Sequence, residues 1–431
     1  MNSMQSVLKI PELKKRLFFT FFILAIYRLG CHITTPGIDN SALGEFFRQS
    51  GGTLLGFFNM FSGGALMRAS IFALGIMPYI SASIILQLLT AVVPFLEKLS
   101  KEGNEGRKKI NQYTRYGTVV LAAVQSLGIS IWLQQLVSPS GANVVVVPGF
   151  MFKLITIFTL TCGTILIMWL GEMITERGIG NGISLLIFIG IVAGTPGALV
   201  NSFRLIRSGE IAPLLAVFLL VFMLAILAAA IFLENGHRKV PVQYAKRVVG
   251  RKVYGGQSSH LPLKVDQSGV IALIFASSVL MFPATMARFV TNDFMQTFAN
   301  WMSPGALMHT IFYIALIIFF CYFYTAITFN PEDIADNMKK SGGFIPGIRP
   351  GKRTADYLTR ILTRITLVGA LGVAMIAIIP TFLMKWVNVP FYYGGTSLLI
   401  VVGVAMDTVR QIESHLMMRH YDGFMKKKGR A

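Results

Sequence analysis

Negative charge is the scarcest property of this chain. Asp and Glu number 19 against 39 Lys and Arg, and charged residues of both signs fill only 13% of the 431 positions. Histidine, with six residues, and cysteine, with three, are rarer still. Cys31, Cys162 and Cys321 fall in or near separate apolar runs, with neither metal-ligand nor disulfide-framework spacing, so buried thiols are expected. No pair of carboxylates or histidines shares a helix at ligand spacing, and no metal is expected. Phosphate-binding loops are lacking too. Gly347-Ile-Arg-Pro-Gly351-Lys352-Arg353 is one residue short between its glycines, and Arg353 stands where a magnesium-binding hydroxyl belongs. Gly178-Ile-Gly-Asn-Gly182 has the glycines of a dinucleotide loop but no strand ahead of it. The chain is therefore not expected to be an enzyme or to hold a cofactor. Any energy must come from a partner or an ion gradient.

What is abundant is apolar surface. Hydrophobic residues make up 54% of the sequence, in runs of about twenty that match a hydrocarbon core of about 30 Å. Candidate spans fall at 17–36, 75–95, 115–136, 152–171, 183–203, 212–233, 268–288, 307–328, 361–383 and 395–412. This is an all-α polytopic membrane protein of about ten transmembrane helices. Lys9, Lys14, Lys15 and Arg16 precede the first run as in a signal peptide, but that run lacks a small-residue cleavage pattern and is long enough to span. Ten spans return both ends to one side, and most Lys and Arg lie on that side, which the positive-inside rule makes cytosolic. Topology thus explains much of the net charge of +20 without nucleic acid. Five spans lie on each side of the short link near Arg204–Pro213. If the halves share a fold, the odd number sets them in opposite orientation, as an inverted repeat.

The stretch Ser62–Leu89 departs from a plain span. It opens on Gly63-Gly64, carries a lone Arg68, and breaks at Gly75 and Pro78. Freed backbone groups need protein or a water-filled cavity beside them. A short half-inserted helix over 57–72 and a full span over 75–93 are expected. Ile76 and Ile80 share a helical face, as do Ile183 and Ile187, and both pairs follow Gly-rich helix starts. Two readings stand, an apolar constriction that excludes water and ions and ordinary helix packing. Ser81, Ser83 and Gln87 line one polar edge and Ser277 and Ser278 another. They fit either a breakable seam between helices or simple packing.

Two cytosolic loops are larger than topology requires. Residues 234–267 alternate around Val248, Val253 and Tyr254, which predicts a β-hairpin. Residues 329–360 predict an amphipathic helix followed by a Gly/Pro-rich basic turn around Arg349. Anchoring to anionic lipid accounts for the charge alone. A docking platform accounts for the turn chemistry as well. The spans hold few ionisable groups at mid-depth, which argues against an ion-coupled solute carrier.

Six stretches carry a resemblance: SGGALMRASIFALGIMPYISAS (62–83), NEGRKKINQYTRYGT (104–118), MWLGEMITERGIGNGIS (168–184), HLPLKV (260–265), FYTAITFNPEDIADNMKKSGGFIPGIRPG (323–351) and VPFYYGGTSLLIVV (389–402). Together they resemble the bacterial SecY family, the large subunits of the Sec protein-conducting channel. The resemblance implies two five-helix halves, 1–209 and 210–431, hinged between spans 5 and 6 around an hourglass pore in the cytoplasmic membrane. It implies a pore ring of Ile76, Ile80, Ile183, Ile187, Ile274 and Ile400. It implies a plug including Asn59, Phe61, Ser62, Gly63, Gly64, Ala65, Leu66, Met67 and Arg68. The lateral gate lies between spans 2 and 7, where Ser81, Ser83, Gln87, Ser277 and Ser278 fall. Arg349 is implied to dock the SecA motor ATPase or the ribosome, together with the 234–267 loop, whose basic residues include Lys246, Arg247, Arg251 and Lys252. SecE and SecG subunits, signal-bearing polypeptides and membrane lipid are the other implied partners. One departure stands out: the chain reads GVIALIFASS where many relatives read GVIPAIFASS, so Ala272 replaces a proline and a straighter helix is expected there.

Overall fold

A computed structural model describes residues 10–49, 61–138, 141–210, 212–244, 247–249, 252–254, 258–289, 306–387 and 394–428, with positions 56, 59, 297 and 301 besides. Helices dominate it. In the N-terminal part they are α1 (Pro11–Gly30), α2 (Asn40–Gln49), α3 (Met77–Val92), α4 (Pro94–Lys101), α5 (Asn104–Gln135), α6 (Phe150–Arg177) and α7 (Gly182–Arg207). Then come α8 (Pro213–Asn235), strands β1 (His237–Tyr244), β2 (Arg247–Val249), β3 (Lys252–Tyr254) and β4 (Ser258–Lys264), and helices α9 (Val270–Phe289), α10 (Leu307–Thr328) and α11 (Pro331–Lys340). The chain ends with β5 (Gly343–Phe344), α12 (Lys352–Val387) and α13 (Gly395–Lys428).

Proline opens α1, α3, α4, α8 and α11 within their first two positions, where its missing N–H costs nothing. Pro94 also bends the chain. It forces Val93 into an extended conformation (φ −93°, ψ 114°), as residues before proline require, and α3 meets α4 at 98°. Among the described residues seven helices are each long and apolar enough to cross a membrane, and the bent pair α3–α4 makes an eighth. The ten expected spans correspond in order to α1, α3, α5, α6, α7, α8, α9, α10, α12 and α13. Several run further than expected: α5 begins at Asn104 and α12 at Lys352, because polar helix-forming residues continue the same helix beyond its apolar run.

The helices pack in two sets. The chain α3–α5–α6–α7 forms one, with α1 against α6 and α7. The other runs α9–α10–α12–α13, with α8 against α12 and α13. They meet where α9 lies on α3 and α5 and where α13 lies on α7. Within the first set Arg115 grips Glu172 through two 2.9 Å contacts, Nε to Oε1 and Nη2 to Oε2, tying α5 to α6.

The hairpin expected over 234–267 is present. β1 pairs with β4 from His237↔Lys264 to Gln243↔Ser258, and Val248 faces Val253 in the outer β2–β3 pair. The second loop joins it. β5 adds to β1 through Gln243↔Phe344 and Tyr244↔Gly343, giving the order β4-β1-β5. Val240, Leu263, Ile345, Leu358 and Leu362 form a small apolar core beneath this sheet.

One expectation fails. Of the helix expected over 57–72, Asn59 and Phe61 are helical and 57, 58 and 60 fall outside the described residues, but 62–76 run as successive turns with a bridge at Ser70. Positive φ at Gly63 (68°), Gly64 (83°), Ala69 (40°) and Gly75 (56°) repeatedly reverses the backbone. A right-handed helix cannot pass through such residues.

Candidate functional site

The turn segment is seated by its neighbours' polar groups. Arg28, near the end of α1, donates from Nη1 to the Gly63 carbonyl at 2.8 Å, and Tyr27 donates to the Ser62 carbonyl at 3.4 Å. Asn59 Oδ1 accepts from the Met67 amide at 2.8 Å. At its far end the segment becomes a short ribbon with residues 33–35. The Thr35 amide donates to Ala69, and the Ile71 amide to Ile33, both at 2.9 Å. Phe61, Ser62, Ala65, Leu66, Ala69 and Ser70 are buried and Arg68 is exposed. Gly63 touches backbone: a Cβ there would lie 3.0 Å from Gly190 Cα of α7. Gly63→Val is therefore expected to lift the segment, through both the contact and the positive φ. The check is the reaction rate of Ser62→Cys with a membrane-impermeant maleimide, which should rise in the Gly63→Val background.

The isoleucines share an apolar cluster with the segment. Ile76 precedes α3, whose second residue is Pro78, and Ile80 follows one turn on. Asn181 caps α7, its Oδ1 accepting from the amides of Ile183 (3.1 Å) and Ser184 (3.3 Å). The Gly178–Gly182 loop ahead of it is held by three helices. Thr20 of α1 accepts from the Ile179 amide, Gln411 of α13 from Gly180, and Thr175 of α6 from Gly182. The glycine run that resembled a dinucleotide loop thus spends its amides on starting α7. Ile76, Ile80, Ile187, Ile274 and Ile400 are at most 5% exposed and belong to one continuous apolar cluster with Phe61 and Leu66. Ile183 is half-buried and packs against that cluster beside Gly171 of α6.

The seam between α3 and α9 departs from the polar-pair picture. Ser277 donates to the Leu273 carbonyl at 2.8 Å, and Ser278 to Ile274 at 2.7 Å, both one turn back on α9. Gln87 donates to Ser83 within α3 at 3.1 Å. Among the described residues no hydrogen bond joins Ser81, Ser83 or Gln87 to Ser277 or Ser278; the one polar approach is Ser278 Oγ to Met77 Sδ at 4.0 Å. Serine in a helix finds its own i−4 carbonyl before it needs a partner. The α9 serines carry that acceptor with them, so neither depends on α3 for a hydrogen bond. Ala272 is fully buried within the first turn of α9.

Beside the three-stranded sheet, Arg349 is exposed at the turn between β5 and α12. Its own carbonyl accepts from Thr354 Oγ1 at 3.1 Å, which fixes the turn and leaves the guanidinium outside it. Arg247 and Lys252 lie on β2 and β3; their side chains, and Lys246 and Arg251 entirely, fall outside the described residues. Two carboxylates at helix starts are tuned in opposite directions. Hydrogen bonds from Ser41 hold Asp39 below the usual carboxylate range. Burial pushes Asp266 up, against the donors Ser268 and Gly269 that oppose the shift.

Sequence reasoning missed Arg28 as an anchor and Asp266 as a cap. An arginine close to an apolar run was the available signal for the first; a lone aspartate before Ser268 was the signal for the second.

The SecY family model matches residues 70–409. The chain belongs to the SecY family. A curated relative, protein translocase subunit SecY of Vibrio cholerae, is 52% identical over 97% of this chain and 95% of its own length. Two solved structures share the fold. One, described by its plug domain that stabilises the closed state of the SecY translocation channel, matches at TM-score 0.64 and 19% identity, covering 93% of this chain and 92% of that one. The other is Sec61 in the canine ribosome–channel complex from the endoplasmic reticulum, at TM-score 0.60 and 16% identity, covering 93% and 92%.

Proposed function

We propose that this chain is the channel-forming subunit of a Sec-type protein translocase in the bacterial cytoplasmic membrane, with both termini cytosolic. It passes unfolded secretory polypeptides across the membrane and releases apolar segments sideways into lipid. The reading rests on family membership. The observation that carries it is the single apolar cluster in which isoleucines from α3, α7, α9 and α13 meet the turn segment 61–70.

The physics follows from the backbone. Each unpaired peptide group in hydrocarbon costs several kcal/mol, so an unfolded chain needs a wet path. A neck of aliphatic side chains seals that path by dewetting and yields to a passing chain. The six isoleucines form the neck, and the turn segment acts as the plug, held by Arg28 and Tyr27. Residues 1–209 and 210–431 are the two halves, in inverted orientation. The sorting of helix contacts along that division supports this, as does the short link before Pro213. The α3–α9 seam is the lateral gate. A signal segment leaves through it, driven by roughly 25 cal/mol per Å2 of apolar area removed from water.

The exposed Arg349 turn and the three-stranded sheet beside it form the landing site for a cytosolic motor ATPase, SecA, or a ribosome, with SecE and SecG as membrane partners. The canine relative's ribosome complex supports a ribosome as one occupant. Crosslinking from an arrested secretory chain tests the path. Ile80→Cys and Ile274→Cys should both capture the chain in transit, whereas capture at neither position would overturn the neck.

A further inference from the structure

The cytosolic hairpin has two roots, and each ends on a buried carboxyl group. The first is the end of α8, where Arg410 of α13 takes hold. Its Nη1 donates to Glu234 Oε1 at 2.9 Å, and its Nη2 donates to the Glu234 carbonyl at 2.8 Å and to Asn235 Oδ1 at 3.1 Å. Asp407, one turn back on α13, stands 3.5 Å from the same guanidinium. The second root is the exit from β4. Asp266 accepts there from Ser268 Oγ at 2.9 Å and from the Gly269 amide at 2.8 Å, capping the start of α9. Ser268 Oγ also lies 3.3 Å from Cys321 Sγ of α10.

The roots are stitched together. The Val265 amide donates to the Gly236 carbonyl at 2.9 Å, and α12 backs them so closely that a Cβ on Gly369 would lie 2.3 Å from the Val265 oxygen. Glu234 and Asp266 are both only 8% exposed. Arg410 is the cation paired with Glu234, whereas Lys264 supplies the opposing positive charge at Asp266. Loss of Arg410 leaves the buried Glu234 carboxyl without its ion-pair partner.

We propose that Arg410 and Asp266 are positioning residues that couple the hairpin to the gate: Arg410 locks the first root to α13, and Asp266 passes any shift of the second root into the first turn of α9. Force applied to β1 and β4 by a docked partner then reaches the seam through two buried polar contacts. Without them it dissipates in the loop. This inference rests on the reading of α9 as a gate wall and of the hairpin as a docking element.

The test uses the complete channel complex in proteoliposomes with the cytosolic motor ATPase and ATP. Seam closure is read as the rate of disulfide formation between Met77→Cys and Ser278→Cys, whose native side chains approach to 4.0 Å. Motor affinity and thermal stability are measured on the same samples. With Arg410 intact, motor and ATP should slow crosslinking by roughly tenfold, a population shift of that size in the gate. In Arg410→Gln the motor should bind with unchanged affinity while crosslinking stops responding to it. A purely structural residue would instead lower stability, binding and response together.

Adding Glu234→Gln removes the uncompensated carboxylate that Arg410→Gln exposes and leaves two amides able to hydrogen-bond across the same contact, so the response should return to within about threefold of the parent. An undiminished response in Arg410→Gln overturns the inference. So does a folded, motor-binding double variant that stays unresponsive. If the parent seam itself ignores the motor, the gate reading falls, and the inference falls with it.

Discussion

Replacing Ile80 and Ile187 together by glycine should raise the resting ion conductance of the reconstituted channel by roughly a hundredfold. Both side chains are at most 3% exposed and stand on helices from the same cluster, α3 and α7. Burying an aliphatic side chain contributes about 1.5–3 kcal/mol. Losing two at a neck shifts a closed-to-leaky balance by about 3 kcal/mol or more, and each 1.4 kcal/mol is about tenfold. Planar-bilayer recording without substrate is the measurement. Leu219→Ala is the control, because Leu219 is equally apolar but packs in a separate small cluster with Leu205, Ile206 and Leu383. If both variants leak alike, general loosening explains the result. If neither leaks, the six isoleucines do not seal the path.

Charge reversal at Arg349 should weaken binding of the motor ATPase by roughly thirtyfold or more and reduce motor-driven export in proportion. Like charges forced together at an interface cost several kcal/mol, and about 2 kcal/mol already gives that factor. The fold should survive. Arg349 contributes only its carbonyl to the turn, and the apolar core under the sheet is made by Val240, Leu263, Ile345, Leu358 and Leu362. Arg349→Lys should retain part of the affinity, because it keeps the charge while losing the guanidinium fork. Motor binding by Arg349→Glu equal to that of the parent would remove this residue from the landing site. Resting conductance should not change in either variant, which separates docking from sealing.

The two outcomes draw on different layers of information. The span pattern was legible because hydrocarbon imposes a local rule: about twenty apolar residues, whatever lies beside them. The span expected over 75–95 ran through Pro94, and only the structure shows that the chain turns there by 98°. The hairpin was legible from alternation around Val248 and Val253. Its third strand was not, because Phe344 lies about a hundred residues from its partner Gln243 and two residues carry no pattern. Glycine content at 63, 64 and 75 marked an irregular segment. Helix was nevertheless the wrong expectation, since positive φ is a property of the folded backbone. The serines at 277 and 278 fitted either a breakable seam or simple packing; both donate to carbonyls of their own helix, and Ser277 also lies 3.3 Å from the Tyr313 hydroxyl of α10.

By itself the sequence determined that this is a many-spanning helical protein, where its apolar segments run, and, through its motifs, the family to which it belongs. These follow from short-range regularities that survive in a one-dimensional record. Only the tertiary structure decided what holds the turn segment in its seat, that the loops 234–267 and 329–360 share one sheet, and that Arg410 meets Glu234 from 176 residues away. Such contacts depend on which donors and acceptors arrive together after the helices pack, and no spacing along the chain encodes that meeting.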